Sequence, residues 1–473
     1  MSPRIHAAPG TEPVPEVRLN LHHAAAHFSE QRAAAKLEVD WEAWRERARE
    51  IRTDAVRHLP ELLERLEAEV SAAGGQVHHA RTGEEAAALI VSLCESSGAR
   101  SVVKAKSMTS EEVGLNEALA AAGIEAVETD LGEYIVQELG ERPSHILAPA
   151  VHVSAAQVAE LFGRLSGEEL DAADTQGLVG YARAALREKF LAGEVGISGV
   201  NMAVAETGTL VIVESEGNAR LTTSLPRVHI ALMGIEKVIR DWEGAAHMVQ
   251  MLPLAAHGKR AAAYTSYITG PAREGDDGPE ELHLVLLDDG RSALRGTGFE
   301  EALHCIRCGA CLYACPVYRQ VGGHSYGTTY SGPIGAVITP LLEGMDDGSA
   351  DLAWLSSLCG ACTEACPVKI PLDDQLVALR AGARERDPHP AEAALFEGWG
   401  RLWSRPAAYR ATAATGGRAL APLWSRLAGG DAGAGEDGWQ ARAPFPFSRW
   451  TADRDARAPA AEPFHARWRR RRG

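Results

Sequence analysis

The chain is poor in the features that would place it in several large classes. No stretch approaches the ~18 consecutive apolar residues that a spanning helix needs, and the opening MSPRIHAAPGTEPVPEV lacks the apolar core of a secretory signal. A cytoplasmic protein is therefore expected. A formal net charge of −16 argues against nucleic acid as the main partner. No G-x-G-x-x-G follows a strand-like run, so nothing speaks for a bound dinucleotide. Cysteine is almost missing from the first 300 residues. Cys94 stands alone there, in the helical run EEAAALIVSLCES, and reads as a small buried hydrophobe.

The other seven cysteines fall between residues 305 and 366. A secreted disulfide scaffold would be short and would spread its cysteines along the chain. Close clusters in a reducing compartment more often hold metal. The first group, CIRCGACLYACPVYR, has the spacing C-x2-C-x2-C-x3-C-P through Cys305, Cys308, Cys311 and Cys315. That run belongs to ferredoxin-type [4Fe–4S] sites, in which the fourth cysteine ligates the other cluster. Small residues at Gly309, Ala310, Gly360 and Ala361 let the backbone approach the sulfurs and aim N–H groups at them. Pro316 and Pro367 constrain the chain after the last ligand of each run.

The second group, SSLCGACTEACPVKI, repeats the pattern with only Cys359, Cys362 and Cys366; Ser356 stands where an eighth cysteine would fall. The expected wiring is crossed. Cys305, Cys308, Cys311 and Cys366 share one cluster, and Cys315, Cys359 and Cys362 share the other. Zinc takes four Cys in closed sites and would leave three thiols without a task. The three-cysteine site admits a [3Fe–4S] centre, a [4Fe–4S] cube with one non-cysteine ligand, or a ligand from a partner subunit. Ser356 is either an oxygen ligand or the turn residue that starts the loop. Two adjacent centres favour electron relay over stapling. Residues 301–378 carry eight acidic side chains against Arg307, Arg319 and Lys369, a net −5 suited to a basic docking partner.

Along the chain, residues 1–69 read as an arm followed by one long amphipathic helix from Trp41, whose apolar positions recur every three or four residues to Leu66. Residues 70–296 alternate strand-like runs (GQVHHA, SVVKAK, IEAVET, SHILAP) with helical stretches near 110–121 and 155–192, and become β-rich at VNMAVAETGTLVIVES and RVHIALMGIEKVI. That rhythm predicts an open α/β sheet of parallel strands with helices on both faces. A mainly helical two-cluster domain is expected over 297–378, a helical extension over 379–429, and a poorly ordered tail over 430–473 ending in the basic RWRRRRG, read as solvated.

With these residues in view, the chain resembles the bacterial lactate-utilisation protein B family of iron–sulfur proteins. HCIRCGACLYACPVYRQVGGHSYGTTYSGPIGAVITPLL, SSLCGACTEACPVKIPL and ISGVNMAVAETGTLVIVESEGNARLTTSLPRVHIALMGIEKVI carry the resemblance, which covers about residues 20 to 425. It implies an isomerase/CoA-transferase-like α/β domain and the crossed ligation by all seven cysteines. It also implies work with companion subunits that oxidise L-lactate to pyruvate, within an oxidoreductase complex to which this chain brings no flavin. The rival readings are a ligand-binding or regulatory α/β protein with redox-sensing clusters, and a subunit acting on another 2-hydroxy acid. The strict pairing of two ferredoxin-type runs favours relay.

Outside the cysteines, Glu206, Thr207 and Gly208 in AVAETGTLV read as either a substrate loop or a hairpin turn. Lys104, Lys106 and Ser107 follow a strand and could meet a carboxylate at the C-terminal edge of the sheet. His324, Tyr326 and Tyr330 fall where they could line a cluster or a partner surface, although packing alone would also account for them.

Overall fold

A computed structural model describes residues 15–345, 348–386, 390–427, 439–440, 456–457, 460 and 462–472. Ten strands make two sheets in the α/β part. In chain order they are β1 (Gln76–Ala80), β2 (Ser101–Lys104), β3 (Glu125–Glu128), β4 (Val195–Gly199), β5 (Met202–Val204), β6 (Thr209–Glu214), β7 (Val228–Gly234), β8 (Val238–Ile239), β9 (Tyr264–Ile268) and β10 (Glu281–Leu287). Six of them form a fully parallel sheet in the order β1-β10-β7-β4-β2-β3. The other four form a mixed sheet, β8-β5-β6-β9, which the sequence did not announce.

The central strands are apolar on both faces because helices cover both. Val285 and Leu287 of β10 pack with the helix Gly83–Ser96, while their neighbours Leu284 and Leu286 pack on the opposite face. Each strand residue alternates sides, so one continuous apolar run fills two cores. Cys94 sits fully buried in the first of these, and burial pushes its thiol up to about 12. It is a packed hydrophobe.

Several expectations need correction. The arm is not without structure: Pro15–Lys36 is a helix, α1, whose buried positions include Leu21, Ala25, Arg32 and Ala35. The long helix is two, α2 (Trp41–Arg57) and α3 (Leu59–Ala72). Pro60 lies in the first turn of α3, where its missing N–H is harmless, and its ring forbids one uninterrupted helix. The segment 110–121 breaks at Gly114, which adopts a left-handed φ of 62°, and 155–192 divides into Ala155–Ser166 and Thr175–Ala192. SHILAP is no strand. The Nδ1 of His145 accepts the N–H groups of Leu147 and Ala148, both at 3.0 Å, folding the segment into a tight loop. Of the tail, Phe464–Arg472 is helical and Trp439–Gln440 pairs antiparallel with Ala456–Arg457. Apart from residues 460, 462 and 463, the rest of 430–473 lies outside the described residues.

The chain divides into two compact units, residues 1–383 and 384–473. In the second, helices Pro390–Trp403 and Pro406–Leu427 contact each other. In the first, the cysteine-rich segment does not stand apart. Cys308, Cys311, Cys315, Cys362 and Cys366 share one apolar core with Leu21 of α1, Ile51 of α2, and Met202, Val204 and Val211 of the mixed sheet.

Buried arginines stitch that core. Arg32 donates to the carbonyls of Ala310 (3.4 Å) and Ala365 (3.2 Å), and Arg45 to those of Cys366 (2.9 Å) and Thr363 (3.2 Å). Arg52 donates to the carbonyls of Glu236, Val238 and Leu303. Replacing Arg45 by Met keeps the apolar stem but takes the guanidinium donor from Thr363 O and Cys366 O, which retain only the turn N–H groups of Cys366 (3.2 Å) and Lys369 (3.3 Å). Each such loss costs roughly 1–3 kcal/mol, so Arg45→Met should lower the thermal unfolding midpoint clearly; a melt coincident with the parent chain would dismiss the clamp. His229 of β7 gives a pH test. It is buried, its Nε2 lies 2.8 Å from Ser198 Oγ, and burial pushes its imidazole down to about 3. The unfolded imidazole, at about 6.5, takes up a proton the folded one refuses, so stability falls as pH drops below that value by about 1.4 kcal/mol per unit. His229→Gln should flatten this acid limb in urea titrations between pH 6.5 and 5, and an unchanged slope would refute it.

Candidate metal centre

The two cysteine loops repeat in geometry as well as in sequence. Gly309 and Gly360, at φ 71° and 78°, each open a five-residue helix, Ala310–Ala314 and Ala361–Ala365. Two residues before each glycine step, Arg307 and Leu358 are also left-handed, at φ 59° and 52°. That conformation is unusual for side-chain-bearing residues. Here it turns backbone N–H groups toward the ligand side. The Arg307 N–H reaches Cys305 Sγ at 3.4 Å; at the matching position the Leu358 N–H reaches Ser356 Oγ at 3.1 Å. Tyr318 N–H and Ile370 N–H donate to Cys315 Sγ and Cys366 Sγ, each at 3.4 Å.

All seven thiols are free of disulfides. Cys308, Cys311, Cys315, Cys362 and Cys366 are buried, Cys305 is half-buried and Cys359 is exposed. Burial pushes the Cys308 and Cys362 thiols up to about 11 and Cys366 to about 12. Neighbouring thiols add to this, and they do so in two sets. Cys311 feels Cys305, Cys308 and Cys366, and Cys366 feels Cys308 and Cys305. Cys315 feels Cys359, and Cys362 feels Cys315. Exposed Cys359 is instead shifted down, first by the Ser357 hydroxyl.

Buried thiols of this kind need a positive centre to ionise. No three of their sulfurs, among the described residues, converge within 4.8 Å. Four thiolates on one Zn2+ at about 2.3 Å would stand only about 3.8 Å apart, so the spread suits multi-iron cores better than one zinc ion.

The loops' carbonyls are held by cations, most of them from elsewhere in the chain. Besides Arg32 and Arg45, Lys237 Nζ donates to Cys305 O (3.2 Å), Arg319 Nε to Tyr313 O (2.6 Å), and Arg380 to Ala353 O and Ser356 O (both 2.9 Å). The cysteine spacing gives no sign of these donors. One signal was available: Arg45 and Arg52 continue the stripe of Ala48, Ile51 and Ala55 on α2, where a solvated arginine has no place.

The first loop is tied to the α/β part by buried charge. Arg291 donates to Glu236 (2.8 Å) and to both oxygens of Glu112 (2.7 and 2.8 Å). Tyr330 donates its hydroxyl to Glu112, the Arg307 guanidinium lies 4.5 Å over the Tyr330 ring, and Arg307 approaches Glu236 at 3.7 Å. Burial works against the Glu236 carboxylate, but the charges of Arg291, Lys237 and Arg307 outweigh it and hold it below the ordinary range. Tyr326 is buried with its hydroxyl unpartnered, near Cys315, Cys311 and Cys362. His324 is turned outward and its Nε2 meets Arg142 O at 2.7 Å.

The α/β candidates separate. Glu206, Thr207 and Gly208 form the β5–β6 turn: the Glu206 carboxylate accepts Trp242 N–H at 3.2 Å, and a side chain at Gly208 would strike the α3 backbone 2.6 Å away. They are a packed hairpin. Lys104 is no substrate contact either. Its Nζ is fully buried against Glu128 (2.7 Å), Asn116 (2.7 Å) and Glu111 (3.3 Å), so the converging carboxylates of Glu111, Glu128 and Glu133 cage an ammonium. Lys106 and Ser107, by contrast, line a cavity of about 550 Å³.

Comparison with known proteins accords with this division. The LUD domain family matches residues 63–287, the 4Fe-4S dicluster domain residues 301–370, and the family of lactate utilisation protein B C-terminal regions residues 378–473. The chain is 44% identical to lactate utilization protein B of Shouchella clausii over 95% of this chain and 92% of that one. It is 42% identical to that of Oceanobacillus iheyensis over 96% and 93%, and 42% identical to that of Bacillus subtilis over 90% and 87%. Among solved structures, a duf162 family protein from Deinococcus radiodurans matches at 13% identity over 48% of this chain and 98% of that one, with a TM-score of 0.27, too low to carry an argument. An α/β region leading into a dicluster domain of the 4Fe-4S kind, matched along its length by these relatives, makes the chain a member of the lactate utilization protein B family.

Proposed function

We propose that the chain is the iron–sulfur electron-transfer subunit of a cytoplasmic multi-protein system that oxidises L-lactate to pyruvate with companion lactate-utilisation subunits. One observation supports the reading: thiols of the two sequence-distant runs lie near enough to push one another up, Cys366 with Cys305, Cys308 and Cys311, and Cys315 with Cys359 and Cys362. Cys305, Cys308, Cys311 and Cys366 would hold a [4Fe–4S] cluster. Cys315, Cys359 and Cys362 would hold a second, either [3Fe–4S] or [4Fe–4S] with a non-cysteine ligand. Bound clusters of this kind pass single electrons, so a two-electron donor requires partners. The relatives' name supports lactate as that donor.

This chain's own residues set the terms of transfer. Arg32, buried near Cys308, Cys311 and Cys366, brings positive charge to the first set, and backbone N–H groups approach the sulfurs of both. Such charge and hydrogen bonding tune cluster potential. Exposed Cys359 leaves the second set at the surface, where an electron partner can approach. The parallel order and doubly covered sheet support an isomerase/CoA-transferase-like α/β domain over about 70–296, with the two-cluster domain over 297–378 and a helical extension over 379–429.

Anaerobic purification with iron and sulfide counts, followed by EPR, should find two clusters per chain. Lactate should reduce them rapidly only when the companion proteins are present. Zinc in that region, or silence of the clusters in the full complex, sinks the reading. The matching backbone of the two loops yields a sharper test. A cysteine at 356 would be presented as Cys305 is, so Ser356→Cys should shift the EPR signature of the second centre toward that of a four-thiolate cube. An unchanged spectrum would mean that the loop does not offer position 356 to the iron.

A further inference from the structure

The C-terminal ends of β2, β3 and β4 open into the 550 Å³ cavity. This is the edge at which open α/β sheets take ligands, and the volume is ordinary for a small-molecule pocket. Lys106 follows β2 there, Asp130 follows β3, and Glu216 comes from the chain after β6. Ile306 and Arg307 of the first cysteine loop also line it.

Lys106 Nζ is buried and has no hydrogen-bond partner. Burial holds its ammonium below the ordinary lysine range, and the nearby Asp130, Glu133 and Glu216 only partly offset this. Two of these carboxylates are engaged elsewhere. Asp130 accepts the N–H groups of Gly132 (3.0 Å) and Glu133 (3.1 Å), and Glu216 accepts that of Leu131 (3.1 Å). The third, Glu133, is pushed up to about 8 by burial and so holds a proton at neutral pH, which leaves the ammonium without a charged acceptor; an anion within reach of Nζ would supply one. The acidic neighbours choose among anions. A phosphate dianion is repelled more strongly beside Asp130 and Glu216 than a carboxylate monoanion.

We propose that this cavity is a binding site for a small carboxylate anion, anchored by Lys106 Nζ. The site reaches the metal region directly through Ile306 and Arg307, and again through Lys237, which lines the cavity and donates to the Cys305 carbonyl at 3.2 Å. Ligand entry at Lys106 thereby faces the first cysteine loop.

Isothermal titration of the anaerobically purified full-length chain with L-lactate, pyruvate and inorganic phosphate tests this. The iron content of each preparation is checked alongside. At least one carboxylate should bind saturably and more tightly than phosphate. Lys106→Met fills the same space without charge and should weaken that binding by roughly tenfold or more, the equivalent of one charged hydrogen bond. Burial pushes Glu216 up to about 7, so in titrations at pH 8 Glu216→Gln removes a repelling charge while keeping an acceptor for Leu131, and should bind at least as tightly as the parent. No binding by the parent chain, equal affinity in Lys106→Met, or preference for phosphate overturns the site. The readout is binding without turnover, so its failure is distinct from a failure of lactate to reduce the clusters.

Discussion

Hydrogen bonds from buried and half-buried cations to backbone carbonyls are the constraint on which this molecule rests. The cysteine loops must turn their N–H groups toward sulfur, and three non-glycine residues, Arg307, Leu358 and Lys369, take left-handed conformations there. A backbone bent in this way has no ladder partner for its carbonyls, and in an apolar core it has no water. Arg32, Arg45, Lys237 and Arg380 supply donors from other parts of the chain, and Arg319 supplies one from the end of the first cysteine run. Guanidinium suits the task because its planar fork can span two carbonyls at once and keeps its charge when buried. The same charges compensate the thiolates that a cluster requires.

The α/β part and the cysteine-rich part are consequently not independent modules within the first unit. The chain of contacts from Glu112 through Arg291 and Glu236 to Arg307 runs from sheet edge to ligand loop without a solvent gap. Buried ion pairs of this kind add little net stability but punish the loss of any one member. Apolar packing gives the same picture, with the mixed sheet and the cysteine helices sharing one core.

Much of this was legible in the sequence, for identifiable reasons. The spacing of the cysteines, the displaced Ser356 and the continuous apolar strands β7 and β10 are local patterns with local causes. What stayed hidden was set by distant contacts. Helix α1 buries alanines and an arginine more than large hydrophobes, so it shows no strong apolar period. The Ile146–Leu147 pair reads as a strand until the His145 ring folds the backbone onto itself. Lys104 and Lys106 are indistinguishable as strand-end lysines; only the carboxylates of Glu111 and Glu128, brought in by folding, cage the first and leave the second open to the cavity.

The clamp by Arg32 spans 278 residues of chain to Ala310 and 333 to Ala365. Helix α1 is made early and meets the helix Trp242–His257 first, but its Arg32 has no carbonyl to clamp until both ligand loops have left the ribosome. Long-range closure of this kind comes late in assembly. The Arg32 grip on Ala310 and Ala365 is thus a contact that forms only once both cysteine loops exist, and its presence reports that both have folded.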